Sequence, residues 1–434
     1  MIINSNVVGI IADDLTGATD SALQFHLRGA NTQILLDDEV EPSCCNNTQT
    51  WAISTESRNV TPHEAYERVK HTTNMFLEKL KPDYFYKKID STIRGNIAVE
   101  ALGILEVLQW DAVIVIPAFP REGRITVGGY HLSKGAPIGR TEMARDPHSP
   151  IFESHFPTLL KSQLPEELQE LVGHIELSTV MGGAGPVLKN INEMIKDGKK
   201  LIVADAVSNV DIEQLVLAIT KSDYKILPAG TAATAKALSN VWFPDDIEVN
   251  QQLQIPDLPR FVVSGSATQI TANQIEKLKQ SHEFDGRIDI IDLDLLTVID
   301  GVKEELVDEI VSKLNQNNIV LVHTSNITKN FDGFSEESLR AELTKAEIAN
   351  SITDFLSELA RQVIVKKELI LIALGGETSF KCCAEIGAGQ LQLMDEVAPA
   401  IALSLTNNDQ WIVTKSGNLG NVNTIIDILK YFEK

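Results

Sequence analysis

The chain has 434 residues, of which 43% are hydrophobic and 23% charged, and its formal net charge is −22. That length exceeds one ordinary core and predicts two domains, and the composition is that of a globular protein. An acidic surface repels nucleic-acid phosphates and anionic lipid, so neither is expected as a partner, and an anionic ligand has to be drawn by a local basic cluster.

The first element is the apolar run of VVGIIADDLTGATDSA, residues 7–22, read as a buried parallel strand followed by a helix. It is too short and too soon acidic for a signal peptide, and nowhere do about 20 apolar residues follow one another, so a cytoplasmic protein without a membrane span is expected. The strand ends in Asp13 and Asp14, with Thr16 placed to cap the helix. In open α/β sheets ligands bind at the carboxyl ends of strands. Two adjacent carboxylates there suit sugar hydroxyls or a metal, and one of them is placed to take a proton from an attacking hydroxyl. The plainer reading is a helix cap beside a solvated aspartate.

The next charged turn is YKKIDSTIRGNIAVEAL, residues 86–102, where Lys87, Lys88, Asp90, Ser91, Arg94 and Asn96 precede a helix. An arginine here suits a bidentate grip on a carboxylate. The run DAVIVIPAFP then enters a stretch, residues 116–150, that carries Arg121, Arg124, Arg140 and Arg145 among glycines and reads as a long functional loop. With Lys87, Lys88 and Arg94 it forms a basic island in an acidic protein, fit for a small anion bearing hydroxyls. KKLIVADAVSNVDIEQLVLAI and YKILPAGTAATAKAL repeat the strand–turn–helix rhythm.

FPDDIEVNQQLQIPDLP, residues 243–259, breaks the rhythm and reads as a linker, with domains at 1–250 and 257–434. Beyond it, VVSGSATQIT, LIALGGETSF and IVTKSGNLGNVNTI each place Gly and Ser or Thr between a strand and a helix. Three such turns offer backbone N–H groups and helix dipoles to phosphates. Neither GxxxxGK[ST] nor GxGxxG occurs, so no P-loop or dinucleotide fingerprint is present. The segment FSEESLRAELTKAEIANSITDFLSELARQV predicts a long amphipathic helix or a helix pair. The four cysteines form two adjacent pairs, Cys44-Cys45 and Cys382-Cys383, read as reduced thiols and not as a zinc site or a disulfide framework. The expected fold is thus α/β, with two domains that each carry a mostly parallel sheet flanked by helices.

The motifs GIIADDLTGATDSA, YKKIDSTIRGN, PAFPREGR, GGYHL, ARDPHSPI, FVVSGSAT, GGETS and VTKSGNLG, in that order, resemble the four-carbon acid sugar kinases over nearly the whole chain. The resemblance implies an N-terminal domain that binds the sugar acid and a C-terminal domain that binds ATP, with Mg²⁺, and phosphorylation of the C4 hydroxyl. Carried over by motif, Asp13, Asp14 and Asp90 supply catalytic carboxylates. Lys87, Ser91 and Arg94 face the acid, and the basic island adds Lys88, Arg121 and Arg124 on that side. Ser264, Gly375, Gly376, Glu377, Thr378 and Gly417 face the nucleotide, and no metal ligand is assigned. Which aspartate acts as base, which four-carbon acid is used and whether the chain forms a homo-oligomer are left open. Two departures lie on the nucleotide side: Phe380-Lys381-Cys382-Cys383 stands where small apolar residues usually follow GGETS, and Asn418-Leu419 stands where KSGGFG has its second glycine and phenylalanine. They keep a rival reading open, a non-catalytic sugar-acid-binding protein with a degenerate nucleotide site.

Overall fold

The computed structural model describes residues 6–36, 47–146, 149–243, 253–329 and 343–433. Cys44-Cys45, Pro147 and His148 of ARDPHSPI, most of the linker and the FSEESLRAE end of the amphipathic segment lie outside the described residues. The chain divides into two compact units, Met1–Val249 and Asn250–Lys434.

The first unit is an α/β layer structure. Its strands are β1 Val8–Ala12, β2 Thr32–Leu35, β3 Thr50–Ser54, β4 Tyr84–Lys88 and β5 Ala112–Ile116, then a small meander of β6 Arg124–Val127, β7 Tyr130–Ser133 and β8 Ala136–Pro137, then β9 Val172–Ile175, β10 Leu201–Ala204 and β11 Ile226–Gly230. The main sheet runs β2-β3-β1-β4-β11-β5-β10-β9, and every adjacent pair is parallel. Helices cover both faces, which is why β5 reads AVIVI without alternation and is fully buried. The chain leaves β1 toward β3 and β2, then returns to place β4 on the other side of β1. That reversal opens a crevice at the carboxyl ends of β1 and β4, the place where such sheets bind ligands.

The helix Leu15–His26 is fixed at both ends. Asp14 is its N-cap, in extended conformation, and accepts the Gly17 N–H. Near its other end Phe25 stacks on Trp242 at 6.0 Å and meets Phe243 edge-on. The helix therefore holds the strand-end carboxylates in a set direction.

The second unit contains β12 Arg260–Ser264, β13 Ile288–Asp292, β14 Ile319–His323, β15 Ile370–Leu374, β16 Gln390–Ala398, β17 Ile401–Thr406 and β18 Trp411–Lys415. Its sheet order is β13-β14-β12-β15-β18-β17-β16, parallel from β13 to β18 and antiparallel from β18 to β16. Here the reversal falls between β12 and β15. The expected amphipathic helix appears as Lys345–Lys366, opened by a capping box of Thr344 and Glu347. Cys382 and Cys383 are buried and form no disulfide among the described residues. Among the described residues no helix is long and apolar enough to cross a membrane.

Candidate active site

The carboxyl ends of β1, β3 and β4 bring together a network of charges centred on Arg58. Its Nε and Nη2 donate to the two oxygens of Asp13 at 2.8 and 3.0 Å, and its Nη1 donates to Asp14 Oδ2 at 2.7 Å. Asp90 Oδ1 lies 4.0 Å from the same guanidinium. The other Asp90 oxygen accepts Arg94 Nε at 2.7 Å and the Thr92 hydroxyl, and Arg94 Nη1 reaches Asp146 at 2.6 Å. Charge-assisted bonds of this kind are strong and directional.

The electrostatics follow from that geometry. Burial alone raises a carboxyl pKa, but Arg58 and Lys88 outweigh it at Asp14 and hold that group below the usual range. Arg94 and Arg58 do the same at Asp90 and hold it well below. The three aspartates in turn push Arg58 well above its ordinary value against the cost of burial. Glu56 is the exception. Burial, with Asp14 beside it, lifts its carboxyl to about 7, against the opposing pull of Ser54, Arg58 and the Leu15 N–H.

Two non-glycine residues in this network adopt left-handed backbone, Glu56 at φ 45° and Ile93 at φ 57°. Strain of that kind persists where the surroundings hold it, and it clusters at functional sites. The turn after β4 is held from above by the meander. Arg124 donates to Ser91 Oγ, and His131 Nε2 lies 2.9 Å from the Ser91 carbonyl. A carbonyl only accepts, so Nε2 carries the proton and Nδ1 accepts from Thr126 at 3.0 Å. The meander itself is anchored by Asp205 at the end of β10, which accepts the Gly128 and Gly129 N–H groups at 2.7 and 3.0 Å.

Of the residues singled out in the sequence, Asp13, Asp14, Lys88, Asp90, Ser91, Arg94 and Arg124 come together here. Lys88 Nζ lies 2.8 Å from where a Cβ on Gly17 would stand, against the capped helix terminus. Lys87 lies on the opposite face of the sheet, because neighbouring strand residues alternate. There it forms a fully buried ion pair with Glu100 at 2.6 Å. Arg121 is exposed on the turn Pro120–Glu122. Sequence reasoning missed Glu56, Arg58, Thr92, Asp146 and His131. The signal for the first two was present, since TWAIS is an apolar run that ends, like the first one, in a charged turn, TESR.

In the second unit the three Gly/Ser turns meet. The β12 turn supplies Ser264, Gly265 and Ser266, the β15 turn Gly375 to Thr378, and the β18 turn Ser416 and Gly417. The Gly417 carbonyl accepts Thr268 Oγ1 at 2.7 Å and Thr271 Oγ1 at 2.9 Å, and Gly375 N–H donates to the Lys415 carbonyl at 2.8 Å. A Cβ on Gly417 would lie 2.4 Å from Ser266 Oγ and 3.1 Å from Thr268 Cγ2, so the absence of a side chain there lets these turns pack closely. Gly375, at φ 121°, is the N-cap of the helix Gly376–Glu385. The first-turn amides of that helix have no intrahelical acceptor, an arrangement that suits an anion. Among the described residues no group of three His, Cys, Asp or Glu side chains is arranged to hold a metal ion.

A family model described as a sugar-binding N-terminal domain matches residues 8–238, and one described as a nucleotide-binding C-terminal domain matches residues 261–425. The chain belongs to the four-carbon acid sugar kinase family. It is 29% identical to a D-erythronate kinase of Heliobacterium modesticaldum, over 98% of this chain and 97% of that one. It is 27% identical to a D-threonate kinase of Salmonella typhimurium, over 98% of each. A 3-oxo-tetronate kinase of Haemophilus influenzae is 24% identical over 95% of this chain and 97% of its own. A crystal structure of a Haemophilus influenzae protein superposes with a TM-score of 0.70 at 23% identity, covering 98% of this chain and all of that one, which shows the shared fold.

Proposed function

We propose that the protein is an ATP- and magnesium-dependent kinase that phosphorylates the C4 hydroxyl of a four-carbon sugar acid. The observation that carries the reading is the Arg58-centred network at the β1/β4 reversal in one unit, together with the meeting of three glycine turns in the other. A polyhydroxy acid offers donors and one carboxylate. The aspartates Asp13, Asp14 and Asp90 accept from its hydroxyls, while Lys88, Arg94, Arg124 and Ser91 face its carboxylate.

The nucleotide belongs to the turns of Ser264, Gly375 to Thr378 and Gly417, where backbone amides suit a polyphosphate. The donors present fit magnesium brought on the phosphates, since that ion keeps several waters and needs few protein carboxylates. Glu377, in the first turn of the helix Gly376–Glu385, would hold it, and the ion would neutralise developing phosphate charge.

The test is ADP release by the purified protein with ATP, Mg²⁺ and a panel of threonate, erythronate and 3-oxo-tetronate isomers. Phosphorus–proton coupling in the product locates the phosphate. The reading expects turnover with at least one acid and a phosphate on C4. An ATP pool left intact across the whole panel refutes it.

A further inference from the structure

A hydroxyl that attacks a phosphorus must lose its proton, and the side chain that takes it works best when its own pKa lies near the operating pH. The three aspartates of the network are poorly suited. Arg58 occupies both oxygens of Asp13. Asp14 accepts from Arg58, Gly17 N–H and Thr16, and Asp90 accepts from Arg94 and Thr92. Asp14 and Asp90 are held below the ordinary carboxylate range.

Glu56 stands one peptide away from Asp14 and is built differently. Only Oε1 is engaged. It accepts the Leu15 N–H at 3.0 Å and the Ser54 hydroxyl, while Oε2 takes no hydrogen bond among the described residues. No arginine bonds its carboxylate. The charged groups that act on it are Asp14 from the β1 turn and Arg58 from its own turn, and Arg68 of the helix Pro62–Met75 donates to its carbonyl oxygen at 2.8 Å. Its left-handed backbone is held in place although glycine or asparagine would adopt it more readily.

We propose that Glu56 is the proton acceptor for the acid's hydroxyl. Resting on the kinase reading, it assigns a step that reading leaves among Asp13, Asp14 and Asp90. The O–H bond of the acceptor hydroxyl breaks, and its proton passes to Oε2. A new O–P bond forms to the terminal phosphorus of a nucleoside triphosphate. The bond from that phosphorus to the bridging oxygen breaks, and its electron pair leaves with the nucleoside diphosphate. Asp14 and Asp90, held below the ordinary carboxylate range, remain ionised throughout, and the three aspartates orient the substrate. Burial of the carboxyl, which brings its pKa to about 7, suits the role.

Glu56→Gln separates this from a purely structural clamp, because glutamine keeps an oxygen for Leu15 N–H and Ser54. The full chain is assayed for kcat and KM across the neutral pH range with ATP, Mg²⁺ and the acid that wild type turns over. The expected result is a kcat lower by about a hundredfold or more with KM little changed. The rate of wild type should rise with pH through about 7, and that limb should vanish in the variant. Ser54→Ala, which leaves the carboxylate in place but removes a donor that lowers its pKa, should move the limb to higher pH. A Glu56→Gln enzyme with near-native kcat, or a limb that Ser54→Ala leaves in place, overturns the assignment while the kinase reading stands. A wild type inactive on every acid overturns both.

Discussion

Arg58 binds the carboxylates of two strand ends, so Arg58→Met tests whether the network is one buried unit or a set of solvated contacts. The substitution keeps most of the stem and removes the charge. Three charge-assisted hydrogen bonds are lost, two to Asp13 and one to Asp14, and the Asp90 contact at 4.0 Å goes with them. The side chains of Arg58 and Asp14 are only 12% and 13% exposed and that of Asp13 3%, so the pairs belong with buried ones and not with the weak surface class. Removing one partner of a buried pair costs about 3–5 kcal/mol, because it strands an uncompensated charge. Asp90 keeps Arg94, so the loss falls mainly on Asp13 and Asp14.

The sign of the pH dependence follows from Asp14. In the native protein its pKa is depressed, so it adds stability above the ordinary carboxylate range and loses it as pH falls through the folded value. Without Arg58 the largest remaining influence is burial, which raises the pKa. The folded variant then binds a proton that the unfolded chain does not, and acid stabilises it relative to neutral pH. The gap of about 3–5 kcal/mol at neutral pH should therefore narrow toward pH 5, by mechanism and not by general acid tolerance. Urea unfolding followed by tryptophan fluorescence reads this, since Trp51, Trp110 and Trp242 lie in the first unit and Trp411 alone in the second. A gap under about 1 kcal/mol at neutral pH, or one that is constant with pH, would mean the carboxylates are solvated and the network does not hold the turns.

In the second unit, Gly417→Ala places a methyl 2.4 Å from Ser266 Oγ and 3.1 Å from Thr268 Cγ2, so the Ser266 and Thr268 side chains or the turns themselves must shift. Overpacking of that kind costs about 1–3 kcal/mol, and calorimetric affinity for a non-hydrolysable ATP analogue should fall about ten- to a hundredfold while sugar-acid binding is unchanged. An unaltered affinity would remove the β18 turn from the nucleotide site. In the meander, burial pushes the His131 imidazole down to about 4, which keeps the ring neutral with Nε2–H donated to the Ser91 carbonyl and Nδ1 accepting from Thr126. The folded state then binds fewer protons than the unfolded one between the ordinary histidine value and about 4, so this residue's share of stability is complete above that window and lost as pH falls through it. Nitrogen NMR of the ring should show the neutral Nε2–H form throughout neutral pH, and an imidazolium signal there contradicts the assignment.

The sequence exposes some of this site and hides the rest for identifiable reasons. Asp13 and Asp14 are legible because adjacent carboxylates end an apolar run, a pattern with few innocent explanations. Lys87 and Lys88 are not separable from sequence, because β4 is covered on both faces and carries no alternation to set its phase. One goes to Glu100 in the core and the other to the site. Arg58 acts on partners 44 and 45 residues away; TESR after an apolar run marks a charged turn at a strand end, but which carboxylates it meets is fixed only once β3 lies beside β1. Residues 116–150 read as a loop of arginines, yet RITVGGYHLS holds two short strands around Gly-Gly, a hairpin signal, and the fold makes it a meander that grips Ser91. Asp205, in an unremarkable VADAV, holds that hairpin's amides from 76 and 77 residues away.

The two departures in the nucleotide motifs bear on the proposed nucleotide site, and they leave Gly375, Gly376, Gly417 and Gly420 in place. The first-turn amides of the helix Gly376–Glu385 are those of Gly376, Glu377 and Thr378, because Ser379 N–H already donates to Gly375. Phe380 to Cys383 come after them. Cys382 and Cys383 are fully buried, and Lys381 pairs with Asp354 at the surface. Asn418 and Leu419 are buried and neither has positive φ; the left-handed position is Gly420, at φ 89°, which is still glycine. Backbone groups that any residue supplies anchor the turn, the Gly417 carbonyl held by Thr268 and Thr271 and the Leu419 carbonyl held by Gln274 at 3.1 Å. Asn418→Gly, which restores the usual glycine, should therefore leave the calorimetric affinity for an ATP analogue near its native value. Its cost should appear only as lower thermal stability, by about 0.5–1 kcal/mol for the added backbone freedom. A tenfold or greater gain in affinity, about 1.4 kcal/mol, would show that asparagine has degraded the site and would favour a binding protein over a kinase.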